Sequence, residues 1–445
     1  MDLTTCDIRK GLLLFALPII LGDLLQQVYN LSDTLIVGRF IGINALAAVG
    51  SAYALMTFLT SIFLGLSMGA GVLFSMEWGR GNIHRLQLGI LHAFCLIILI
   101  TILLNIALYV WMDPILHFLA VPQAIYDSMR IYVEIIFMGL LAVSIYNFFS
   151  CLLRSIGNSV IPLVFLGLSA GLNIGLDLLF VLGFHWGIAG AAIATILAQY
   201  VSGSGISMYY MKTYRSFILH RQDWVFDPTI LHDLLGLSLM TCLQQSCMNF
   251  GILLVQRLVD TFGPITMAAF AAGVKIDTFA YLPVQDFGNA FSIFISQNEG
   301  AKRIDRQQQG FRIATTMTIL FSAVISLLVF VFAQPLMQLF VQAKETEVLW
   351  CGIRYLHIEG TFYIGIGCLF LLYGYFRGMG KPGISVILTI LSLGTRVLLA
   401  YALAPTLGEI GIWMAIPIGW FLADLVGYGW YFMGRTKIDM SVDGD

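Results

Sequence analysis

The stretch SMEWGRGNIHRLQLG, residues 75–89, returns later in the chain as SQNEGAKRIDRQQQG, residues 296–310. The two segments align without a gap, and serine, glycine, arginine and glutamine recur at matching places, among them Gly79 on Gly300. A repeat at a fixed distance of this size is the signature of a duplicated fold.

A second pair of matching segments supports the duplication. LLRSIGNSVIP at 152–162 aligns with YFRGMGKPGIS at 375–385, at nearly the same distance along the chain. Between the halves lies YRSFILHRQDWVFDP, the most polar long loop. The sequence therefore predicts an N-lobe at 1–215, a cytoplasmic inter-lobe linker at 216–229 and a C-lobe at 230–445.

The composition is that of a membrane protein. Of 445 residues, 59% are hydrophobic and 11% are charged, whereas an ordinary soluble domain has about 25% charged residues. The formal net charge of -2 gives no electrostatic reason to expect a nucleic-acid partner. The seven cysteines are scattered without the spacing of metal ligands. The first apolar run is too long for a signal-peptide core, so we expect the chain to be inserted as it stands.

The apolar segments predict an all-α, polytopic membrane protein. A helix needs about 20 mostly apolar residues to cross the hydrocarbon, and the helical spacing of the apolar residues argues against a β-barrel. Lysine and arginine are concentrated in the loops of one side, sixteen against five, which predicts that both termini are cytoplasmic. Twelve segments are long enough to span, near residues 11–38, 45–78, 86–112, 128–153, 159–183, 187–211, 230–259, 264–296, 311–338, 350–376, 383–404 and 409–434.

An even number of helices in each half makes the two repeats parallel. Two pseudo-symmetric six-helix bundles of this kind are typical of transporters that bind their cargo at the interface between repeats. The sequence therefore favours transport by two bundles that rock around a central site. A duplicated scaffold with no transport role is the alternative.

The two halves differ in their buried acids. Asp33 and Asp177 align with Gly251 and Ala400, so these carboxyl groups occur only in the first half. A carboxylate at the bilayer centre costs at least about 2.5 kcal/mol and normally faces protein or water. Hydrogen bonding between helices is the alternative role. Because Asn or Ser would supply that bonding at lower cost, we favour an ionisable pair that loads and releases a coupling ion.

Further polar residues lie on the same helix faces. Asn30 precedes Asp33 by three residues on helix 1, and Asn173 precedes Asp177 by four residues on helix 5. These spacings place each pair on one side of its helix. Asn173 aligns with Arg396, so the second half carries a cation where the first half has an amide.

Weaker candidates lie in the second half. Lys275 and Asp286 are eleven residues apart on helix 8 and share a face, which leaves internal charge pairing and substrate contact both open. Glu359 on helix 10 is a candidate for an interfacial position. Asp424 on helix 12 is a candidate counter-ion for Arg396 or Lys275.

Taken together, four segments resemble the multidrug and toxic compound extrusion (MATE) family. They are YNLSDTLIVGRFIGINALAAVG at 29–50, LLRSIGN at 152–158, NIGLD at 173–177 and GIAGAAIATILAQ at 187–199. The resemblance implies a bacterial inner-membrane antiporter, not an enzyme, that works as a monomer. It implies export of cationic or amphipathic small molecules in exchange for H+ or Na+, with no cofactor besides that ion and no nucleic-acid partner.

The resemblance also implies roles for single residues. Asp33 is similar to the family's helix 1 acid, Asn173 and Asp177 to its helix 5 pair, and Thr195 to the helix 6 hydroxyl that completes this polar cluster. Such oxygen-rich residues suit either a proton or a hard cation such as Na+. Pro18 resembles the proline at which helix 1 bends in the proton-coupled prokaryotic branch. The candidates for substrate contact or support are Tyr132, Asn147, Asn30, Lys275, Asp286 and Arg396.

Two places depart from the family pattern. Sodium-linked members carry acids on helices 7 and 10, where this chain has Gln245 and an apolar position near Ile366. We therefore do not expect a C-lobe cation site. Leu178 follows Asp177 where other members often have proline, which predicts a change in local bend and nothing more.

Three other classes of protein fit the sequence less well. A flippase for lipid-linked oligosaccharides, built from the same two lobes, would need a strongly basic cavity, but only Lys275 and Arg396 are intramembrane cations. A membrane-embedded enzyme is disfavoured because there is neither an HExxH helix nor a nucleophile paired with histidine in an apolar span. A passive channel is disfavoured by the two-lobe repeat and the asymmetric acids.

Overall fold

The computed structural model describes residues 1–118, 121–217 and 224–442, which form helices and no strand. Residues 218–223 of the predicted linker lie outside the described residues. The first half contains α1 (Ile8–Phe40), α2 (Ile43–Arg80), α3 (Ile83–Val110), α4 (Met112–Phe118), α5 (Gln123–Met138), α6 (Leu140–Ser155), α7 (Val160–Asp177), a π-helical segment (Leu178–Gly183), α8 (Gly187–Thr213) and a 3-10 turn (Arg215–Phe217). The second half contains α9 (Pro228–Asp260), α10 (Pro264–Gly300), α11 (Ile304–Val331), α12 (Ala333–Gln338), α13 (Thr346–Gly360), α14 (Tyr363–Gly378), α15 (Pro382–Leu407) and α16 (Glu409–Val442).

The number of membrane spans agrees with the sequence prediction. Ten helices among the described residues are long and apolar enough to cross a membrane on their own. Two further spans are bent helix pairs, α5 with α6 at 45° and α13 with α14 at 51°. Counting each bent pair as one span confirms the prediction of an all-α protein with twelve transmembrane helices.

One predicted span lies earlier in the chain than expected, although its length is the same. The segment 311–338 was expected to form a single helix, but α11 ends at Val331 and the chain turns into the short α12. The 28 residues of α11 already extend about 42 Å at 1.5 Å per residue, which exceeds the roughly 30 Å of hydrocarbon. The apolar residues after Val331 are therefore not needed for the crossing.

Gly139 lies at the bend between α5 and α6 and packs against α8. A Cβ added at Gly139 would lie 2.6 Å from Oε1 of Gln199 and 2.8 Å from Cγ2 of Ile196, both on α8. Only a residue without a side chain allows α8 to approach this closely. The close approach holds the bent span against the helix that carries Thr195.

The described residues form two compact units, which interleave along the sequence. Unit 1 consists of Met1–Cys6, Leu13–Gln245 and Ser296–Lys302, and unit 2 consists of Asp7–Leu12, Ser246–Ile295 and Arg303–Asp445. The two units are defined by contacts in space and not by the order of the residues in the sequence. The division into lobes at residues 215 and 230 stays a prediction from the sequence repeat.

In unit 1, the repeat glycines form a reciprocal helix crossing between α2 and α10. A Cβ at Gly79 would lie 2.0 Å from the carbonyl oxygen of Gln297, and a Cβ at Gly300 would lie 2.0 Å from the carbonyl oxygen of Met76. Each glycine thus contacts the backbone three residues before its repeat partner. Close backbone contact at small residues is how transmembrane helices commonly associate, and here the two repeats supply equivalent sides of one crossing.

Unit 2 contains a similar crossing between α10 and α14. A Cβ at Gly374 would lie 2.2 Å from the carbonyl oxygen of Gly288, and a Cβ at Gly288 would lie 2.7 Å from that of Phe370. Both helices therefore come together backbone to backbone. This contact holds the C-terminal part of α14 against α10, the helix that carries Asp277.

Candidate functional site: a buried carboxyl cluster in unit 1

Three helices of unit 1 bring together the four residues predicted for the coupling ion. Asp33 lies on α1, Asn173 and Asp177 on α7, and Thr195 on α8. We call these four residues the unit 1 carboxyl cluster. Their exposed fractions are 8% for Asp33, 1% for Asn173, 0% for Asp177 and 8% for Thr195. The sequence spacing predicts that Asn173 and Asp177 share one face of α7, and both residues are buried in the structure.

The hydrogen bonds of the cluster hold its neutral members in place. The side-chain amide of Asn173 donates to Oγ1 of Thr195 at 3.3 Å, and that hydroxyl donates to the carbonyl oxygen of Ala191 at 3.1 Å. The carboxyl groups of Asp33 and Asp177 are neighbours that interact electrostatically. The side-chain amide of Asn173 and the hydroxyl of Thr195 are thus held by hydrogen bonds beside the two acids.

Several oxygen atoms of the cluster are left without a donor. No hydrogen-bond donor in the described part of the chain reaches Oδ1 of Asp33, Oδ1 of Asn173, or either carboxyl oxygen of Asp177. Buried oxygens normally accept a hydrogen bond, and an uncompensated buried charge is strongly unfavourable. These atoms can be satisfied by protons on the carboxyl groups or by a cation that accepts oxygen ligands.

Two tyrosines complete the surroundings of the acids. Tyr132 on α5 is 7% exposed and interacts electrostatically with Asp33 and Asp177. Tyr29 on α1, half-buried, interacts with the same two acids. Tyr132 had been predicted as a supporting residue. Tyr29 was missed, although its position one turn before Asp33 was a signal that it shares the face of the acid.

The backbone after Asp177 departs from the α-helical pattern. The π-helical segment Leu178–Gly183 begins with the next residue, and the amide of Phe184 donates to the carbonyl oxygen of Leu179 at 2.9 Å, five residues back. Leu178 is the position where the sequence departs from the common family pattern. Single π-helical turns occur frequently at functional sites, and this one begins where α7 presents its acid.

Two other first-half candidates are placed differently from the acids. Asn147 donates its side-chain amide to the carbonyl oxygen of Val143 on its own helix at 2.9 Å. Asn30 is half-buried on α1, and its carbonyl oxygen accepts from the Thr34 hydroxyl at 2.8 Å. Helix α1 continues through Pro18, which is half-buried. A role of Pro18 as a bend therefore stays a prediction.

The second-half candidates belong to unit 2 and differ in their burial and in their partners. Lys275 is exposed while Asp286 is buried at 2%, and eleven residues of helix separate them by about 16 Å, so they do not pair with each other. Glu359 is 3% exposed, so its side chain lies inside the protein. Asp424 was a candidate counter-ion for Arg396. In the structure, the acids that interact electrostatically with Arg396 are Asp277 and Glu359.

Comparison with known proteins decides the family. The model of the MatE family matches residues 18–179 and 237–402, one segment in each sequence half. The chain belongs to the MatE family. Its members are membrane transporters driven by ions and not enzymes, and many membrane-spanning helices are expected of them.

Bacterial proteins are similar to this MatE chain along its whole length. It is 28% identical to the probable multidrug resistance protein YpnP of Bacillus subtilis, covering 98% of this chain and 97% of the relative. It is 25% identical to the probable multidrug resistance protein YoeA of the same species, covering 97% and 95%. A solved variant of the Vibrio cholerae MATE transporter VcmN has a TM-score of 0.90 at 24% identity, covering 97% of both chains. That similarity confirms the fold.

Proposed function

We propose that this MatE protein exports cationic or amphipathic small molecules in exchange for H+ or Na+. The observation that carries the proposal is the unit 1 carboxyl cluster, in which buried oxygens of Asp33, Asn173 and Asp177 have no donor among the described residues. Two acids in contact, without a counter-ion, form a site that is stable only when a proton or a metal cation is bound. The similarity to YpnP and YoeA, which are named as probable multidrug resistance proteins, supports a multidrug cargo.

The competition between ion and cargo follows from charge. With the coupling ion released, Asp33 and Asp177 are negative and attract a cationic compound. With the ion bound, that attraction is removed and the compound is released. A coupling ion drives transport only if it binds one arrangement of the protein better than the other, so the cluster must change its geometry during the cycle.

Helix α1 is the element best suited to that change. It carries Asp33 and contains Pro18 in its interior, where proline cannot donate the helical hydrogen bond to the residue four positions earlier. A helix with a missing bond bends at lower cost than an intact one. Ion binding at Asp33 would therefore be coupled to the bend of α1 at Pro18.

The orientation and assembly are part of the proposal. The excess of Lys and Arg in the loops of one side supports cytoplasmic termini. The similarity to bacterial relatives supports the inner membrane of a bacterial cell as the location. A single chain carries the complete unit 1 carboxyl cluster, which supports a functional monomer. A lipid-linked oligosaccharide flippase is disfavoured, because Lys275 and Arg396 alone do not make a basic cavity.

The test is gradient-driven transport of a fluorescent cation in proteoliposomes. The variants Asp33→Asn and Asp177→Asn should each lose most of the transport driven by an imposed gradient, and Asp127→Asn, at an exposed position on α5, is the matched control. Separate pH and Na+ gradients identify the coupling ion. Transport at the control rate in both cluster variants would reject the proposed site, and no gradient dependence in the parent protein would reject antiport altogether.

A further inference from the structure

Unit 2 contains a second buried group of ionisable residues that the coupling site does not use. Its members come from four helices: Asp277 on α10, Tyr355 and Glu359 on α13, Tyr363 on α14 and Arg396 on α15. We call these five residues the Arg396 cluster. The exposed fraction is 2% for Asp277, 3% for Glu359 and 9% for Arg396, so all three charged groups lie inside the protein.

Asp277 is the centre of this group. The hydroxyl of Tyr355 donates to one of its carboxyl oxygens and the hydroxyl of Tyr363 donates to the other. The ring of Tyr355 fits because Gly273, one turn before Asp277, has no side chain, and a Cβ there would lie 2.4 Å from that ring. Both acceptor atoms of Asp277 are therefore occupied by donors, which is the arrangement that favours an ionised carboxylate.

Glu359 is in the opposite situation. It interacts with Asp277 and Tyr355, but its Oε2 has no hydrogen-bond partner within the described ranges, and the same holds for Nε of Arg396. One guanidinium balances one carboxylate, so a second negative charge on Glu359 would be buried without compensation. A proton on Glu359 removes that charge.

We propose that the Arg396 cluster is a second proton-binding site, in which Asp277 is the anion that interacts electrostatically with Arg396 and Glu359 holds the proton. A metal ion is an unsuitable ligand for this site. The guanidinium of Arg396 is always positively charged and already interacts with Asp277. The site thus differs from the unit 1 carboxyl cluster, whose acids interact with no lysine or arginine in the part of the chain that the structure describes. It also differs from the sequence expectation that the C-lobe lacks a cation site, since the ligand here is a proton.

The other groups around the pair do not supply a second positive charge. Tyr281 on α10 interacts with both acids, and Trp413 on α16 packs edge-on against Tyr355 at 4.9 Å between ring centroids. Tyrosine is neutral at physiological pH and tryptophan does not ionise. The proton on Glu359 is therefore the means by which the five-residue cluster becomes electrically neutral.

The test is infrared spectroscopy of the purified full-length protein at neutral pH, in a background that carries Asp33→Asn and Asp177→Asn. This background removes the unit 1 acids, so the result does not depend on the proposed transport function. Compared with the spectrum of the background protein, the spectrum of Glu359→Gln should lack the carbonyl band of one protonated carboxylic acid. The control Glu347→Gln, at an exposed position on the same helix α13, should leave that band unchanged.

A second variant separates proton binding from a structural role. Asp277→Asn removes the anion beside Arg396, so Glu359 should ionise in its place and the protonated-acid band should disappear although Glu359 is still present. Loss of carboxylate intensity in Glu359→Gln, with the protonated-acid band retained, would overturn the proposal. Persistence of the protonated-acid band in Asp277→Asn would also overturn the proposal. The measurement on Asp277→Asn can be interpreted even if Glu359→Gln does not fold.

Discussion

Replacing Gly79 with alanine should force apart the crossing of α2 and α10 in unit 1. The added Cβ would lie 2.0 Å from the carbonyl oxygen of Gln297, whereas a carbon and a carbonyl oxygen normally approach to about 3.3 Å. The helices must therefore separate by about 1.3 Å. Overpacking of this kind costs about 1–3 kcal/mol, and the greater helix propensity of alanine offsets about 0.5–1 kcal/mol of that cost.

The repeat provides a second variant with the same expected cost. Gly300→Ala places a Cβ 2.0 Å from the carbonyl oxygen of Met76 on the other side of the same crossing. Once one alanine has separated the two helices, part of the space that the second alanine needs is already available. The double variant should therefore lose less stability than the sum of the two single variants, as expected for neighbouring sites that share one contact.

Reversible unfolding in sodium dodecyl sulfate, followed by circular dichroism, measures the free energy of unfolding of the purified protein. Gly236→Ala is the matched control, because it exchanges the same residues in a helix where a Cβ meets nothing within 4 Å. The control should gain about 0.5–1 kcal/mol. Equal shifts for Gly79→Ala and Gly236→Ala would refute the crossing, and full additivity in the double variant would show that the two glycines do not share it.

Two further predictions concern polar contacts of unit 1. Gln297 accepts from the Leu3 amide at 3.2 Å and donates to the Ser155 carbonyl at 2.7 Å, so Gln297→Ala should cost about 1–3 kcal/mol in the same titration; an unchanged free energy would contradict these buried bonds. The Thr229 hydroxyl and amide donate to Asp227 before α9 and lower the pKa of Asp227. That stabilisation is present above about pH 4 and is lost as pH falls below it, so thermal melts of Asp227→Asn should show a weaker acid-induced decrease in stability than the parent.

The sequence predicted the parts of the fold that leave a periodic signal. Apolar length identified all twelve spans, because each helix must satisfy its own backbone inside the membrane. The repeat aligned Gly79 with Gly300, and the structure places both in one crossing. The absence of repeat partners for Asp33 and Asp177 indicated that these acids are special, and the structure brings them together.

The features that were missed depend on contacts between distant parts of the chain. Helical spacing indicates which residues share a face, but it does not indicate which neighbour that face meets. Glu359 therefore looked interfacial, although its helix directs it toward Asp277 and Arg396. Tyr29 was not singled out because aromatic residues are frequent in this chain, yet it interacts with Asp33 one turn later on α1. The packing at Gly139 similarly depends on α8, which comes from a later part of the sequence.

The two buried acid pairs differ in how their charge is balanced, and this difference separates their roles. Asp277 and Glu359 interact electrostatically with Arg396, so one proton is enough to make that cluster neutral. Asp33 and Asp177 interact with no lysine or arginine among the described residues, so their full charge must be balanced by ions from solution or by a cationic compound. A cluster that depends on external cations responds to the gradients and cargo on either side of the membrane. In our proposal, the cluster with its own guanidinium needs only one proton to become neutral and needs no charge from the cargo.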